Sequence, residues 1–409
     1  MPSSPAHALR ALTFAFGLSQ FFRGCLAVIA PELQRDLELS AAGFGTLSSS
    51  FFLACALAQI PVGIAFDRYG VGGPTRWLLA LGVVSGVLFV LAPNGPTAML
   101  AQAGLGAACA PVFMGLMHYA AAHLPPERYV AFVGRANATG MIGALCATAP
   151  LGWLAQRLGW RLALVASVVC MAAACFAVWR HVRDTGHAGA RNEKPSAMLA
   201  TSARLLTRPV LWTLIPLCIA MAAGTAFRNA WGGPYLADMF NQDTQARGLV
   251  MAVLSVAGFG TALLLPVLVR RHSLRAAVMG WGLVSLAGAV LLTAWPGGGA
   301  LALHLLPLAM LATFGMVHPL VMTHGRELLP TMLRGRGLGV LNTFVFLGSA
   351  LTSWAFGQIA DAGHRAGWAL DQTWSAIFAC AGALMLLGIL GYALSPAPGS
   401  AQAKRAAEQ

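Results

Sequence analysis

Gly63-Ile64-Ala65-Phe66-Asp67-Arg68-Tyr69-Gly70 is a short polar turn set between two long apolar runs. An acid and a base side by side at such a turn acquire meaning only from what flanks them. The flanks are typical of the chain: of 409 residues, 58% are hydrophobic and 10% charged, and the mean hydropathy is +0.71. A soluble domain carries about 25% charged residues, so most of this chain faces lipid or other apolar helices. Hydrocarbon offers the backbone no hydrogen-bond partner, which leaves helices and closed barrels as the only structures able to cross it. The apolar runs are about 20 residues long, the length of a spanning helix, whereas barrels use alternating segments of about 10.

The net charge is +13, from 26 Lys and Arg against 13 Asp and Glu. With loops assigned alternately to the two sides, one side holds most of the basic residues, including Arg68, Arg76, Arg128, Arg180, Arg270 and Arg334. The other side holds Arg35, Arg157, Arg161, Arg247 and Arg365. This positive-inside bias predicts an integral protein of the cytoplasmic (inner) membrane with both termini in the cytoplasm. Its surface cations are expected to meet anionic membrane lipids and not nucleic acid. All eight cysteines lie within apolar runs without metal-type spacing, so they read as packing residues and no metal is expected. The N-terminus lacks the pattern of a cleaved signal peptide, and the first helix is expected to direct insertion.

The pattern predicts an all-α membrane protein of twelve transmembrane helices. Helix 1 is expected to end at Pro31 and to be followed by a polar loop with Glu32, Arg35, Asp36 and Glu38. Six helices fill residues 1–182. A polar linker over 183–209, with Arg183, Asp184, Glu193 and Lys194, separates them from six more over 210–396, and a polar tail over 397–409 follows. The halves repeat. One constant shift brings Pro31 onto Pro234, Gly45 onto Gly248 and Arg68 onto Arg271; a shift two residues longer brings Pro125 onto Pro330, Gly134 onto Gly339, Asn137 onto Asn342 and Gly152 onto Gly357. Gly, Pro and Asn are not interchangeable as Leu and Ala are, so the chain reads as a duplicated six-helix unit.

The Gly63–Gly70 turn resembles the Gly-x-x-x-Asp-Arg-x-Gly loop that joins helices 2 and 3 in the major facilitator superfamily of secondary transporters. Gly159-Trp160-Arg161 after helix 5, the run Leu333-Arg334-Gly335-Arg336-Gly337 before helix 11, and the duplication fit the same family. The resemblance implies transport by alternating access, with two pseudo-symmetric halves rocking about a midplane site. It also implies a conformational latch at Gly63, Asp67, Arg68 and Gly70, with Arg271 as the counterpart in the second half. After Gly70 this chain departs from the pattern, placing Val71, Gly72, Gly73 and Pro74 before Arg76.

Charges inside spanning helices are costly and point to function. Arg23 lies mid-helix 1 and Arg228 mid-helix 7, the helices that line the central cavity in the resembled family. Two guanidiniums facing one another would offer planar bidentate donors to a carboxylate or phosphate. Arg23 precedes Pro31 by the spacing found in the organophosphate and phosphate antiporters, whereas Arg228 lies closer to Pro234. His118, Tyr119, Asn137, Trp231, His318 and Asn342 are further candidates for ligand contact, each alternatively a packing, interhelical-bonding or interfacial residue. Glu32 either exchanges a proton during transport or serves as a loop or gate residue beside Arg35. The Gly232-Gly233-Pro234 run is expected to let helix 7 bend.

The only lysines are Lys194 and Lys404, neither in a Gly-Lys-Ser/Thr loop, so ATP is not expected to drive the protein directly. No His-Glu-x-x-His or Gly-x-Ser-x-Gly occurs, which argues against a hydrolase. No cofactor is expected. The sequence therefore reads as a non-enzymatic, monomeric transporter of a small, anionic organic solute, coupled to protons or to a counter-solute. Proton-driven efflux of a drug, siderophore or other amphipathic metabolite is the alternative, because Gly140-Met141-Ile142-Gly143 and Ala149-Pro150-Leu151-Gly152 in helix 5 partly resemble the glycine-proline pattern of exporters in the same family.

Overall fold

The computed structural model describes residues 5–182, 203–330 and 333–400. Most of the expected linker, including Arg183, Asp184, Glu193 and Lys194, and the tail residues Lys404 and Arg405 lie outside the described residues. The first half comprises α1 (Pro5–Gly24), α2 (Leu26–Asp36), α3 (Ala41–Tyr69), α4 (Gly72–Val90), α5 (Gly95–Cys109), α6 (Val112–His123), α7 (Pro126–Cys146) and α8 (Ala149–His181). The second comprises α9 (Pro209–Ala220), α10 (Ala222–Ala226), a π-helical turn (Phe227–Trp231), α11 (Gly232–Phe240), α12 (Thr244–Arg271), α13 (Leu274–Ala294), α14 (Leu301–Ala312), a 3-10 turn (Phe314–Val317), α15 (His318–Glu327), α16 (Arg334–Arg365) and α17 (Leu370–Ala393).

Among the described residues, ten continuous helical stretches are long and apolar enough to cross a membrane, and the bent pair α1–α2 makes eleven. The stretch Pro126–His181 has 56 residues. At 1.5 Å per residue that is about 84 Å of helix, far more than a hydrocarbon core of roughly 30 Å requires. Gly159, at φ 79° and ψ 157°, is a non-helical break within it, so the stretch is long enough for two spans and the described residues fit a twelve-span arrangement. Helix starts are set by short polar caps. The Ser40 side chain accepts from the Gly43 amide, and the Asp243 side chain accepts from the Ala246 amide, at repeat-related positions of the two halves.

Two local expectations are corrected. Helix 1 does not end at Pro31: the chain bends by 52° between Gly24 and Leu26, and α2 carries Pro31 inside it as far as Asp36. Proline has no amide hydrogen, so the Ala27 carbonyl lacks its usual donor within α2, and the backbone of Gly233 packs against that carbonyl, where a Cβ would collide. The irregularity of helix 7 likewise falls one turn before Gly232-Gly233-Pro234, in the π turn over Phe227–Trp231.

The halves close against each other at the end of the bundle remote from the Gly63–Gly70 loop. On α3 and α16, a Cβ on Gly45 would lie 3.0 Å from the Gly357 Cα. On α8 and α12, a Cβ on Gly152 would lie 3.1 Å from the Gly248 Cα. These four residues are repeat partners of one another, so one backbone-to-backbone contact is built twice. The Trp160 indole donates to Asp36 at 2.8 Å, and the Trp374 indole donates to Asp238 at 3.1 Å, fastening the same end of each half. At the loop end the glycines are not packed in this way: Gly134, Gly260, Gly335 and Gly339 have nothing within 4 Å of a built Cβ.

Candidate functional site

Between the halves lies a cavity of about 190 Å³. Arg23 and Arg228 line it from opposite halves, together with Gln20, Asn229, His318 and Asn342. Each arginine sits at an irregularity of its helix: Arg23 precedes the bend at Cys25, and Arg228 lies within the π turn. The inserted π residue changes the rotation along helix 7, which brings Arg228 to the cavity although its distance from Pro234 differs from that of Arg23 from Pro31. Helices 1 and 7 come close here, since a Cβ on Gly24 would be 3.9 Å from the Asn229 side-chain oxygen.

The electrostatics are one-sided. Among the described residues, no acidic side chain lines the cavity. The Nε atoms of both Arg23 and Arg228 are buried without a hydrogen-bond partner, and each guanidinium is close enough to feel the other's charge. The Arg23 guanidinium lies 4.8 Å from the centre of the Phe346 ring, which holds it over an aromatic face. Thr148, Thr225, Ser255 and Ser349 add hydroxyls to the wall. The arrangement can hold an anion that also carries hydroxyl groups.

A polar bridge crosses between the halves beside this cavity. The Asn342 amide donates to the Gln59 side-chain oxygen at 3.0 Å, and its own oxygen lies 3.2 Å from His318 Nε2. Gln59 belongs to α3 of the first half, and the other two to α16 and α15 of the second. Asn342 and His318 therefore serve the cavity wall and the bridge together.

Other expected ligand contacts fall elsewhere. Trp231 is buried: its indole donates to Ser353 at 3.0 Å and its rings meet Phe44, Phe356 and Trp374. Tyr119 stacks on His123 with ring centres 4.0 Å apart, and His118 meets the edge of Phe66. Asn137 is exposed and, like those three, is not part of the cavity wall. Glu32 is neither in a loop nor paired with Arg35. It forms an ion pair with Arg247 of the opposite half and accepts from the Thr244 hydroxyl at 2.6 Å. At the loop end, Gly70 has φ 78° and caps α3, Arg68 lies 5.5 Å from the Tyr69 ring centre, and Asp67 has no ion-pair or hydrogen-bond partner among the described residues. Gly63 makes no close backbone contact, and Arg271 is exposed at the end of α12.

Gln20, Gln59 and Arg247 were not singled out by the sequence. Gln20 precedes Arg23 by three residues on the same helix face, and a second polar group at that spacing is a usable signal. Arg247 carried none, because its partner is remote in sequence.

The family model for the Major Facilitator Superfamily matches residues 12–353. Among curated proteins, the chain is 28% identical over 144 residues to the probable galactarate/D-glucarate transporter GudP of Escherichia coli K12, a match covering 34% of this chain and 32% of that protein. It is 26% identical over 148 residues to the hexuronate transporter of Bacillus subtilis 168, covering 35% and 34%. The matched part is thus about a third of each relative's length. Among solved structures, the inward-open xylose transporter XylE of E. coli superposes with a TM-score of 0.73 at 14% identity, over 97% of this chain and 98% of that one. The nucleoside transporter NupG superposes with a TM-score of 0.73 at 14% identity, over 94% and 99%. The matched family model covers most of this helical fold, and the chain belongs to the Major Facilitator Superfamily of membrane transporters.

Proposed function

We propose that the protein is a secondary active transporter of a small hydroxylated carboxylate, a sugar acid of the aldarate or uronate kind. The observation that carries this reading is the pair of buried Arg23 and Arg228 Nε atoms, without a hydrogen-bond partner in a cavity that no acid lines among the described residues. A carboxylate would satisfy these donors by charge-assisted bonds, while Gln20, Asn229, Thr148 and Ser255 suit the hydroxyls of a sugar acid. The relatives named for galactarate, D-glucarate and hexuronate support the same class. Efflux of an amphipathic compound fits this polar wall less well, and the Gly152 motif that suggested it is explained by packing on Gly248. Transport proceeds by rocking of the halves, coupled to protons or to an exchanged solute, in a cytoplasmic membrane with both termini inside.

Uptake of labelled galactarate and glucuronate into proteoliposomes tests the proposal. Arg23→Ala and Arg228→Ala each abolish uptake while the protein still reaches the membrane. Arg→Lys keeps the charge but loses the planar fork, weakening binding about ten- to a hundred-fold, the range for a hydrogen bond to a charged group. Normal uptake by both alanine variants, or thermal stabilisation by neutral sugars alone, would sink the anion assignment.

A further inference from the structure

A second recess lies on the opposite side of helix 5 from the central cavity. Between α1 and α7, a groove of about 520 Å³ is lined by Arg10, Arg128 and Arg135 and by apolar Leu9, Phe14 and Phe132. A further groove of about 330 Å³ shares Phe14 and Thr139 with it and continues between α1, α7 and α8 past Ile142, Cys146 and Ala166. On α7 the positions 128, 132, 135, 139, 142 and 146 recur every three or four residues and so occupy one helix face. Ala144, which lines the central cavity, lies roughly half a turn away on a helix of 3.6 residues per turn. The crevice is open to the surroundings of the bundle, since Phe14 is 43% and Ile142 62% exposed.

Its two parts differ in chemistry. The loop-end part holds three exposed guanidiniums, none with a hydrogen-bond or ion-pair partner among the described residues. At 1.5 Å per residue, Arg135 stands roughly 14 Å along α7 from Pro126, a position from which its charge must reach toward the interface. The part nearer the membrane centre is walled by Ile142, Leu154, Ala163 and Ala166. A headgroup-sized cationic recess that runs into an acyl-sized apolar one matches a single kind of molecule.

We propose that this crevice binds one anionic phospholipid, its phosphate held by Arg10, Arg128 and Arg135 and an acyl chain laid along Phe14, Ile142 and Ala166. A zwitterionic lipid brings its own cation and neutralises the three charges less well. Basic recesses between helices at the membrane surface attract anionic headgroups, and burial of the chain adds the apolar contribution that a headgroup alone lacks.

The test uses the purified full chain in nanodiscs of equal parts phosphatidylglycerol and phosphatidylcholine, with retained lipid counted by native mass spectrometry and thermal unfolding followed in detergent with either lipid added. Phosphatidylglycerol is retained and raises Tm; phosphatidylcholine does neither. Each of R10Q, R128Q and R135Q weakens phosphatidylglycerol binding about five-fold, the effect of one basic residue near an anionic surface. The triple crevice variant R10Q/R128Q/R135Q loses phosphatidylglycerol retention, whereas the charge-matched triple variant R204Q/R270Q/R326Q keeps the wild-type value. Ala166→Trp fills the apolar part and lowers retention with all three arginines intact. The proposal is overturned if both lipids are retained equally, if the crevice variants match the charge control, or if soluble glycerol phosphate displaces the lipid, which would mark a free-phosphate site. Should the triple crevice variant not fold, the single variants and Ala166→Trp decide.

Discussion

Glu32 pairs with Arg247, and a mutation can separate that structural role from the proton-coupling role proposed for it. Its partner Arg247 has a side chain 2% exposed, and the pair joins the two halves at the closed end. Removing one member of a buried pair leaves an uncompensated charge and costs about 3–5 kcal/mol. Glu32→Ala is therefore expected to lower Tm and to raise the labelling rate of a cysteine placed at Ala41. The double variant Glu32→Ala/Arg247→Leu recovers much of the loss; an unchanged Tm in the single variant would show that the pair does not hold the closed state. If Glu32 also carries the coupled proton, Glu32→Gln keeps solute exchange but loses proton-driven uptake. The sequence showed the acid but not its use, because the pairing is fixed by how helices 1 and 8 cross and not by anything near Glu32 in the chain. Arg23 and Arg228 were legible for the opposite reason: a charge within an apolar run is rare whatever it faces. Trp231 and Tyr119 were not, since an aromatic on a spanning helix gives the same pattern whether it lines a cavity or packs in the core.

Elements were legible where their ends are polar and obscure where a helix bends without a polar signal. The Asn94 cap and the Gly159 break stand out in the sequence, whereas the bend at Cys25 and the π turn at Phe227–Trp231 lie where helices 1 and 7 pack together and have no polar cap. The glycine repeats carried more than they first showed. They mark the two sites where helix backbones touch at the closed end, α3 on α16 and α8 on α12. A Cβ on Gly152 would stand 2.7 Å from the Thr244 carbonyl, and that backbone oxygen cannot swing aside. Overpacking of this kind costs about 1–3 kcal/mol, charged here to the closed arrangement alone. Gly152→Val should thus fold, bind ligand and fail to turn over, with a cysteine at Ala41 labelled about five- to a hundred-fold faster than in the parent. Wild-type turnover in this variant would show that the closed contact is not required at that distance.

At the scale of the molecule, the closed end and the Gly63–Gly70 loop lie at opposite ends of the bundle, as the proposed rocking of the halves requires. In the arrangement described, the halves touch at Gly45–Gly357 and Gly152–Gly248, while Asp67 has no partner among the described residues. An interaction absent from one state and present in the other biases the equilibrium by its own free energy and by nothing more. We therefore expect Asp67 and Arg68 to act when the loop end closes, and the ligand to be chosen at Arg23 and Arg228. An exposed ion pair contributes about 0.2–1 kcal/mol, so Asp67→Asn should slow turnover by roughly five-fold at most. Its effect on affinity, read by thermal shift with galactarate, should be small, because the cavity wall contains neither Asp67 nor Arg68. The Gln59–Asn342 bridge gives the complementary case. Asn342→Ala removes a bond between the halves and a group on the cavity wall at once, so it should lower affinity and turnover together. If Asp67→Asn instead weakened binding as strongly as Asn342→Ala, loop and cavity would not be separable, and the division between switching and selection would have to be abandoned.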